Sequence, residues 1–386
     1  MRISKKEALQ YHKKYRGKIG IVAKTSIKTK KDLSLAYTPG VAFVSQAIAE
    51  DKSLDRVLTN KGNSVAIITD GTAVLGLGDI GPEAAIPVME GKAAIFKSFA
   101  GIDAYPISLD EKDPKKIIDI VKALAPNYAG INLEDISAPR CFEIERTLQK
   151  ELKIPVFHDD QHGAAIIILT ALINALLVAK KKFEKVRVVI NGAGAAGIAT
   201  THLLLAYGVK HITVVDKQGV LHKKAKGMNR YQAEVARLTN PKVKGGLKEA
   251  IKGADVFIGF SVGNILSKSM VTSMAPKSIV FAAANPVPEI SPKDAKAAGA
   301  FIVATGRSDY PNQINNALVF PGLFKGLLDA GASKVTPEPM ICAATCLSGL
   351  IKKPTPNNIV PSLFDKRVVE TVAFTVRQEG VCVCKY

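Results

Sequence analysis

Residues 154–163 (IPVFHDDQHG) place the tightest limit on how this chain can fold. The β-branched and aromatic run reads as a buried strand ending in two adjacent carboxylates, Asp159 and Asp160, followed by His162 and Gly163. An earlier run, residues 128–133 (YAGINL), has the same character and ends in Glu134 and Asp135. Residues 140–152 between them read as a crossover helix, which sets the two strands side by side and parallel. Open α/β sheets bind ligands where their strands end. Both acidic pairs then meet on one sheet edge, where they form a cage for a hard divalent cation.

A second pattern begins at residue 186. Residues 186–191 (VRVVIN) read as a buried parallel strand, and the segment Gly192, Ala193, Gly194, Ala195, Ala196, Gly197 opens a helix that reaches about residue 207. The next strand, 211–215, ends in Asp216. A lone GxGxxG is weak, but between strand and helix, with an acid about 20 positions on, it meets the test for a dinucleotide fingerprint. The first two glycines make the turn and admit a pyrophosphate to the helix N-terminus, and the third lets the helix pack on the strand. Strands at 255–260, 279–283 and 301–304 complete a doubly wound sheet. The fold class is therefore α/β. An N-terminal α/β metal- and substrate-binding domain (1–160) precedes a doubly wound Rossmann-type dinucleotide domain (161–315), and a C-terminal segment (316–386) packs back on the first.

Candidate acid and base groups sit in the N-terminal half. Residues 37–41 (YTPGV) mark a turn, and a tyrosine there has a placed hydroxyl, although Tyr37 alone reads as a ring packed over that turn. From residue 64 a strand, a DGT turn and the glycine-rich LGLGDIG segment lead to a helix that starts at Pro82. Gly91 inside that helix costs about 1 kcal/mol relative to alanine, which implies a close approach and makes the adjacent Lys92 the inward-facing lysine. The plain alternative is a solvated Lys92, like Lys97. Asn285 closes a later strand on a Pro-rich turn, and Asn315 and Asn316 precede Pro321 and Gly322; singly, each is an ordinary turn residue.

Composition weighs against several rival classes. The net charge of +19 raises nucleic-acid binding, but the lysines are spread along the chain and no aromatic platform alternates with them. Such a field would still draw anionic substrates. The most apolar stretch, 163–179, falls short of the ~20 residues that a membrane span needs and reads as a buried helix. Five cysteines without a CxxC do not make a disulfide framework, which points to a reducing cytosol. Cys342 and Cys346 read as small buried thiols, with Cys382 and Cys384 in a loose tail.

A carboxylate cage, a dinucleotide fold and candidate Tyr and Lys acid and base groups point together to metal-assisted hydride transfer on a hydroxy acid that also loses CO2. The chain resembles the malic enzymes, in their short bacterial-type form, over nearly its whole length. The matching segments are YTPGV at 37, TDGT at 69 with LGLGDIG at 75, PVMEGK ending at Lys92, NLED at 132, FHDDQHG at 157, the glycine fingerprint, and NNA at 315 with FPG at 320. The resemblance implies oxidative decarboxylation of L-malate to pyruvate, with Mg2+ or Mn2+ and NAD or NADP, in a cytoplasmic homodimer that binds neither nucleic acid nor membrane. It also implies Glu134, Asp135 and Asp160 as metal ligands, with Asp159 behind them. Lys92 would be the base for the C2 hydroxyl, through an ammonium pKa lowered by the cation and burial. Tyr37 would be the acid at C3, and Asn285 and Asn316 would hold substrate and the nicotinamide side of the cofactor.

Two departures stand out. Large eukaryotic-type relatives carry a malate-binding arginine just before the LGLGD segment, whereas residues 72–74 here are TAV. Asp216 favours NAD, while Lys217, Lys223 and Lys224 are near enough in sequence to accommodate NADP. Two rival readings remain: a metal-independent Rossmann dehydrogenase acting on another substrate such as an amino acid or a folate, and a basic nucleotide-sensing or nucleic-acid-binding protein.

Overall fold

Alternating β-branched and helical runs build two parallel sheets. The computed structural model describes residues 3–239 and 241–378. Four helices come first, α1 (Lys5–Tyr15), α2 (Lys30–Ala36), α3 (Gly40–Glu50) and α4 (Asp55–Leu58), and none carries a buried residue.

The first sheet follows as β1 (Ser64–Thr69), α5 (Pro82–Ile95), β2 (Asp103–Ser108), α6 (Pro114–Leu124), β3 (Gly130–Leu133), α7 (Arg140–Glu151) and β4 (Val156–His158). Its order is β2-β1-β3-β4, all parallel. The expected pairing of the two acid-ended strands is present, with Leu133 opposite His158. One boundary moves: α8 (Asp159–Ala179) starts at the first aspartate, so Asp159 and Asp160 occupy its first turn rather than the strand end. A helix N-terminus favours carboxylates, which accounts for the earlier start.

By length and apolarity α8 could cross a bilayer, but 78% of its apolar window is buried inside the protein. Its polar interruptions are satisfied there: Thr170 donates to the Ile166 carbonyl, and Asn174 to the carbonyls of Ser348 and Ile359 at 3.1 and 3.0 Å.

The second sheet runs β5 (Arg187–Asn191), α9 (Ala195–Tyr207), β6 (His211–Asp216), β7 (Gly219–Val220), α10 (Arg230–Thr239), α11 (Leu247–Ala250), β8 (Val256–Gly259), α12 (Lys268–Thr272), β9 (Ile279–Ala282), α13 (Pro292–Ala297) and β10 (Ile302–Thr305). The order β10-β9-β8-β5-β6-β7 is parallel except for the final hairpin, the doubly wound pattern expected. Three helices close the described chain: α14 (Phe320–Asp329), α15 (Pro337–Gly349) and α16 (Arg367–Arg377). α14 brings Phe320 and Phe324 to 4.7 and 5.4 Å from Phe96, so this segment packs on the first sheet's layer. Cys342 and Cys346, both buried on α15, are disulfide-bonded rather than free thiols. Cys382 and Cys384 lie outside the described residues.

The third fingerprint glycine acts as its motif requires, because a Cβ on Gly197 would lie 1.8 Å from the Gly192 carbonyl oxygen. Alanine there gains about 1 kcal/mol of helix propensity, but overpacking costs roughly 1–3 kcal/mol. Gly197→Ala is therefore expected to lower the urea midpoint and weaken NADH binding, as measured by denaturation and fluorescence titration.

Candidate active site

The cage forms because three parallel strands and one helix end together. β3 delivers Glu134 and Asp135, α8 delivers Asp159 and Asp160, and α5 lays Lys92 between them. Carboxylate oxygens of Glu134, Asp135 and Asp160 all lie within 4.8 Å of one another. Asp135 adopts φ +52°, a left-handed backbone uncommon outside glycine. It is held there by its own N–H, which donates to Asp160 Oδ2 at 2.7 Å, and by its carbonyl, which accepts from Ala73 at 2.9 Å. Asp135 Oδ2 is buried without a hydrogen-bond partner among the described residues. Three hard oxygen donors with an orphaned buried oxygen suit Mg2+ or Mn2+.

Lys92 is buried. Its Nζ donates to Glu134 Oε2 at 2.5 Å and to Asp159 Oδ2, and it lies 4.4 Å from the centre of the Phe320 ring. Burial depresses its pKa, but the charges of Asp159, Glu134 and Asp160 outweigh that and push it above the ordinary lysine value. The shift expected from the sequence is the opposite one, because that expectation counts the cation and burial but not these anions. Burial, then Asp160, push the Asp135 carboxyl up to about 8 against the pull of Lys92. Glu134 and Asp159 are raised for the same reason, burial first.

Asp159 is fully buried behind the cage and accepts from Asn316 Nδ2 at 2.6 Å. A Cβ on Gly163, one turn later, would lie 1.8 Å from Asp159 Oδ1, so glycine there lets the carboxylate fold back over the helix. Gly91 meets no close backbone; a Cβ there would find Lys18 Nζ as its nearest neighbour, at 3.9 Å, and the residue forms open cavity wall. The close approach occurs instead at Gly76, where a Cβ would lie 1.6 Å from the Asn285 carbonyl oxygen across the cleft.

A cavity of about 640 Å3 joins the two sheets at this point. Lys92, Glu134, Asp135 and Asp160 line one side, Gly194, Ala195 and Ala196 of the dinucleotide turn the other, and Asn285 and Asn316 the space between. Gly192 and Gly197 shape the turn from behind it. Asp216 stands at the end of β6, where Oδ2 accepts from Gln232 Nε2 at 2.6 Å. Tyr37 is outside the group that lines the cavity: it caps α2 and is 67% exposed. Lys92 is the only cationic side chain among the lining residues described.

Sequence reasoning missed three contributors. Asn132 Nδ2 braces Glu134 Oε2 at 3.1 Å, a role its place in the NLED segment could have suggested. Phe320 packs under Lys92, and buried Glu289 accepts backbone N–H groups from Ser261 and Ala284, both at 3.1 Å. The Phe320 contact with Lys92 and the Glu289 contact with Ser261 join distant parts of the chain, so the neighbouring sequence does not announce either.

Two sheets joined by such a cleft define a dinucleotide-binding α/β enzyme with a carboxylate cage at its reaction centre. Residues 16–149 match the family model of the malic enzyme N-terminal domain, and 161–381 that of the malic enzyme NAD-binding domain. The chain belongs to the malic enzyme family. It is 55% identical to the NAD-dependent malic enzyme of Geobacillus stearothermophilus, covering 92% of this chain and 75% of that one. Identity is 52% to the bifunctional malic/malolactic enzyme of Bacillus subtilis (strain 168), over 98% and 93%. The crystal structure of the NAD-dependent malic enzyme from Thermotoga maritima superposes with a TM-score of 0.93 at 49% identity, covering 96% of this chain and 98% of that one.

The raised acids link stability to pH. A carboxyl whose folded pKa is raised contributes stability that is full below the unfolded value near 4 and lost as pH rises through the folded value. For Asp135 that window runs from about 4 to about 8. With EDTA present, thermal melts should show Asp135→Asn gaining on the parent as pH climbs through this window.

Proposed function

We propose that the protein catalyses oxidative decarboxylation of L-malate to pyruvate and CO2, with reduction of NAD or NADP. The observation that carries this reading is the single cavity shared by the carboxylate cage and the dinucleotide turn. In the same reading, residues 1–160 form the catalytic and metal domain, 161–315 the dinucleotide domain, and 316–386 a segment returning to the first.

Glu134, Asp135 and Asp160 would hold Mg2+ or Mn2+, with Asp159 bracing the site from behind. When bound, the cation supplies Lewis-acid polarisation of the substrate C2 oxygen and stabilises enolate charge. Lys92 accepts the C2 hydroxyl proton. The surrounding acids, Asp159 first, favour its protonated form, and a cation held by Glu134 and Asp160 would weaken the share of that hold which those two supply. Asn285 and Asn316 orient substrate against the nicotinamide, while Gly192, Gly194, Ala195, Ala196 and Gly197 seat the pyrophosphate and Asp216 the ribose. Recognition of the malate carboxylates would fall to the cation and to polar groups such as Asn285 and Asn316, since no arginine lines the cavity among the described residues.

Tyr37 returns the proton to C3, and we assign it to the site of a second copy in a homodimer. The support is its exposure and that of its surroundings. Across α1–α4 nothing is buried, and Leu35, Tyr37 and Phe43 are 67%, 67% and 72% exposed. An apolar face of that kind marks an interface.

Malate-dependent reduction of NAD or NADP, followed at 340 nm, should vanish with EDTA, return with Mn2+, and fall about 10²–10⁴-fold in Lys92→Ala. Turnover that persists with EDTA would reject the cation reading, and a Lys92→Ala protein that turns over like the parent would reject Lys92 as the base. Mixing inactive Tyr37→Phe and Lys92→Ala chains should restore part of the activity if the tyrosine serves the partner's site. Mixtures that stay inactive would return Tyr37 to its own chain.

A further inference from the structure

The two aspartates of the cage depend on a turn, residues 158–162, whose other face is fastened to one buried acid. Glu145 on α7 is 3% exposed. Its Oε1 accepts the His158 backbone N–H at 2.8 Å, and its Oε2 accepts Gln161 Nε2 at 2.9 Å and His162 Nε2 at 3.0 Å. These three donors bracket Asp159 and Asp160 in sequence and link strand end to helix start. Among the described residues Asp160 has no comparable anchor of its own: it accepts the Asp135 N–H, and His158 Nδ1 stays 3.8 Å away.

Resting on the cation reading above, we infer that Glu145 is a positioning residue for the metal-ligating turn, acting through His158, Gln161 and His162 to aim Asp160 into the cage. It lies outside the cage, and its far side lines a separate cavity of about 350 Å3 together with Arg146, His202 and Met340. An apolar side chain would fill the same space, but it would leave three donors unpaired. Groups that hydrogen-bond a metal ligand directly govern affinity about 10- to 100-fold, because ligands must be held to within about half an ångström, and Glu145, acting one contact further out, is expected at the low end of that range.

The neighbouring cavity supplies a direct test. Glu145→Ala opens the clamp to that cavity, so a small free carboxylate can enter and take the same three hydrogen bonds. Mn2+ affinity of the full-length protein is measured by calorimetry, and NADH affinity by fluorescence. Mn2+ should bind about tenfold more weakly in Glu145→Gln, still more weakly in Glu145→Ala, and a few-fold more weakly in Gln161→Ala, with NADH affinity unchanged. Millimolar acetate should recover Mn2+ affinity in Glu145→Ala and give the parent nothing. Where the alanine variant does not fold, Glu145→Gln and Gln161→Ala carry the test. Variants that bind Mn2+ like the parent overturn the clamp and leave the cation reading standing, as does a loss that NADH affinity shares and acetate does not reverse. A parent that takes up no Mn2+ overturns both.

Discussion

Mutual repulsion among Glu134, Asp135, Asp159 and Asp160 is the constraint to which the rest of the structure answers. Two unit charges 4 Å apart at an effective dielectric of 20 repel by about 4 kcal/mol, and this edge holds several such pairs around a single ammonium. The fold absorbs the repulsion in three ways: Lys92 lies between Glu134 and Asp159, the N-terminus of α8 faces its own aspartates, and the raised acids keep part of the proton load. A site balanced in this manner stays receptive to further positive charge, which is what a cation and a bound lysine both provide.

That balance depends on topology more than on any one contact. β1, β3 and β4 are adjacent and parallel, so their loops open on one edge. α8 then runs from that edge through the interior, packs against α9 and α15, and leads directly into the strand that precedes the glycine turn. The acids and the dinucleotide turn therefore stand at the two ends of the continuous α8–β5 segment, which returns the chain to the same cavity. Gly76 against the Asn285 carbonyl is where the two sheets' loops touch from the other side. The cavity that carries the acids and the dinucleotide turn lies between these two connections.

Much of this is legible in the chain itself. The pairing of β3 with β4 follows from two similar β-branched runs separated by a helix, and the dinucleotide turn from its glycines and Asp216. Lys92 stands out because a helical glycine precedes it, although the close approach inferred at Gly91 belongs to Gly76. What cannot be read there depends on distant contacts. No local pattern says that Glu145 fastens residues 158–162 or that Glu289 ties two strand-end loops together. The start of α8 is misplaced in the sequence reading because the apolar periodicity begins only after Gly163, while the helix dipole extends it back to the aspartates.

Tyr37 shows the limit of reasoning from one chain. Its segment has turn signals, and the resemblance gives it a proton to deliver, yet the described fold leaves it in solvent beside Leu35 and Phe43. A tyrosine hydroxyl in open water has no fixed geometry and cannot serve a defined carbon. The helices around it bury nothing of their own, so an external surface must order them before that hydroxyl can be placed. The cage, by contrast, is complete within one chain. Electrostatics is therefore supplied by the folded monomer, whereas the acid role proposed for Tyr37 would require a second copy to cover these helices.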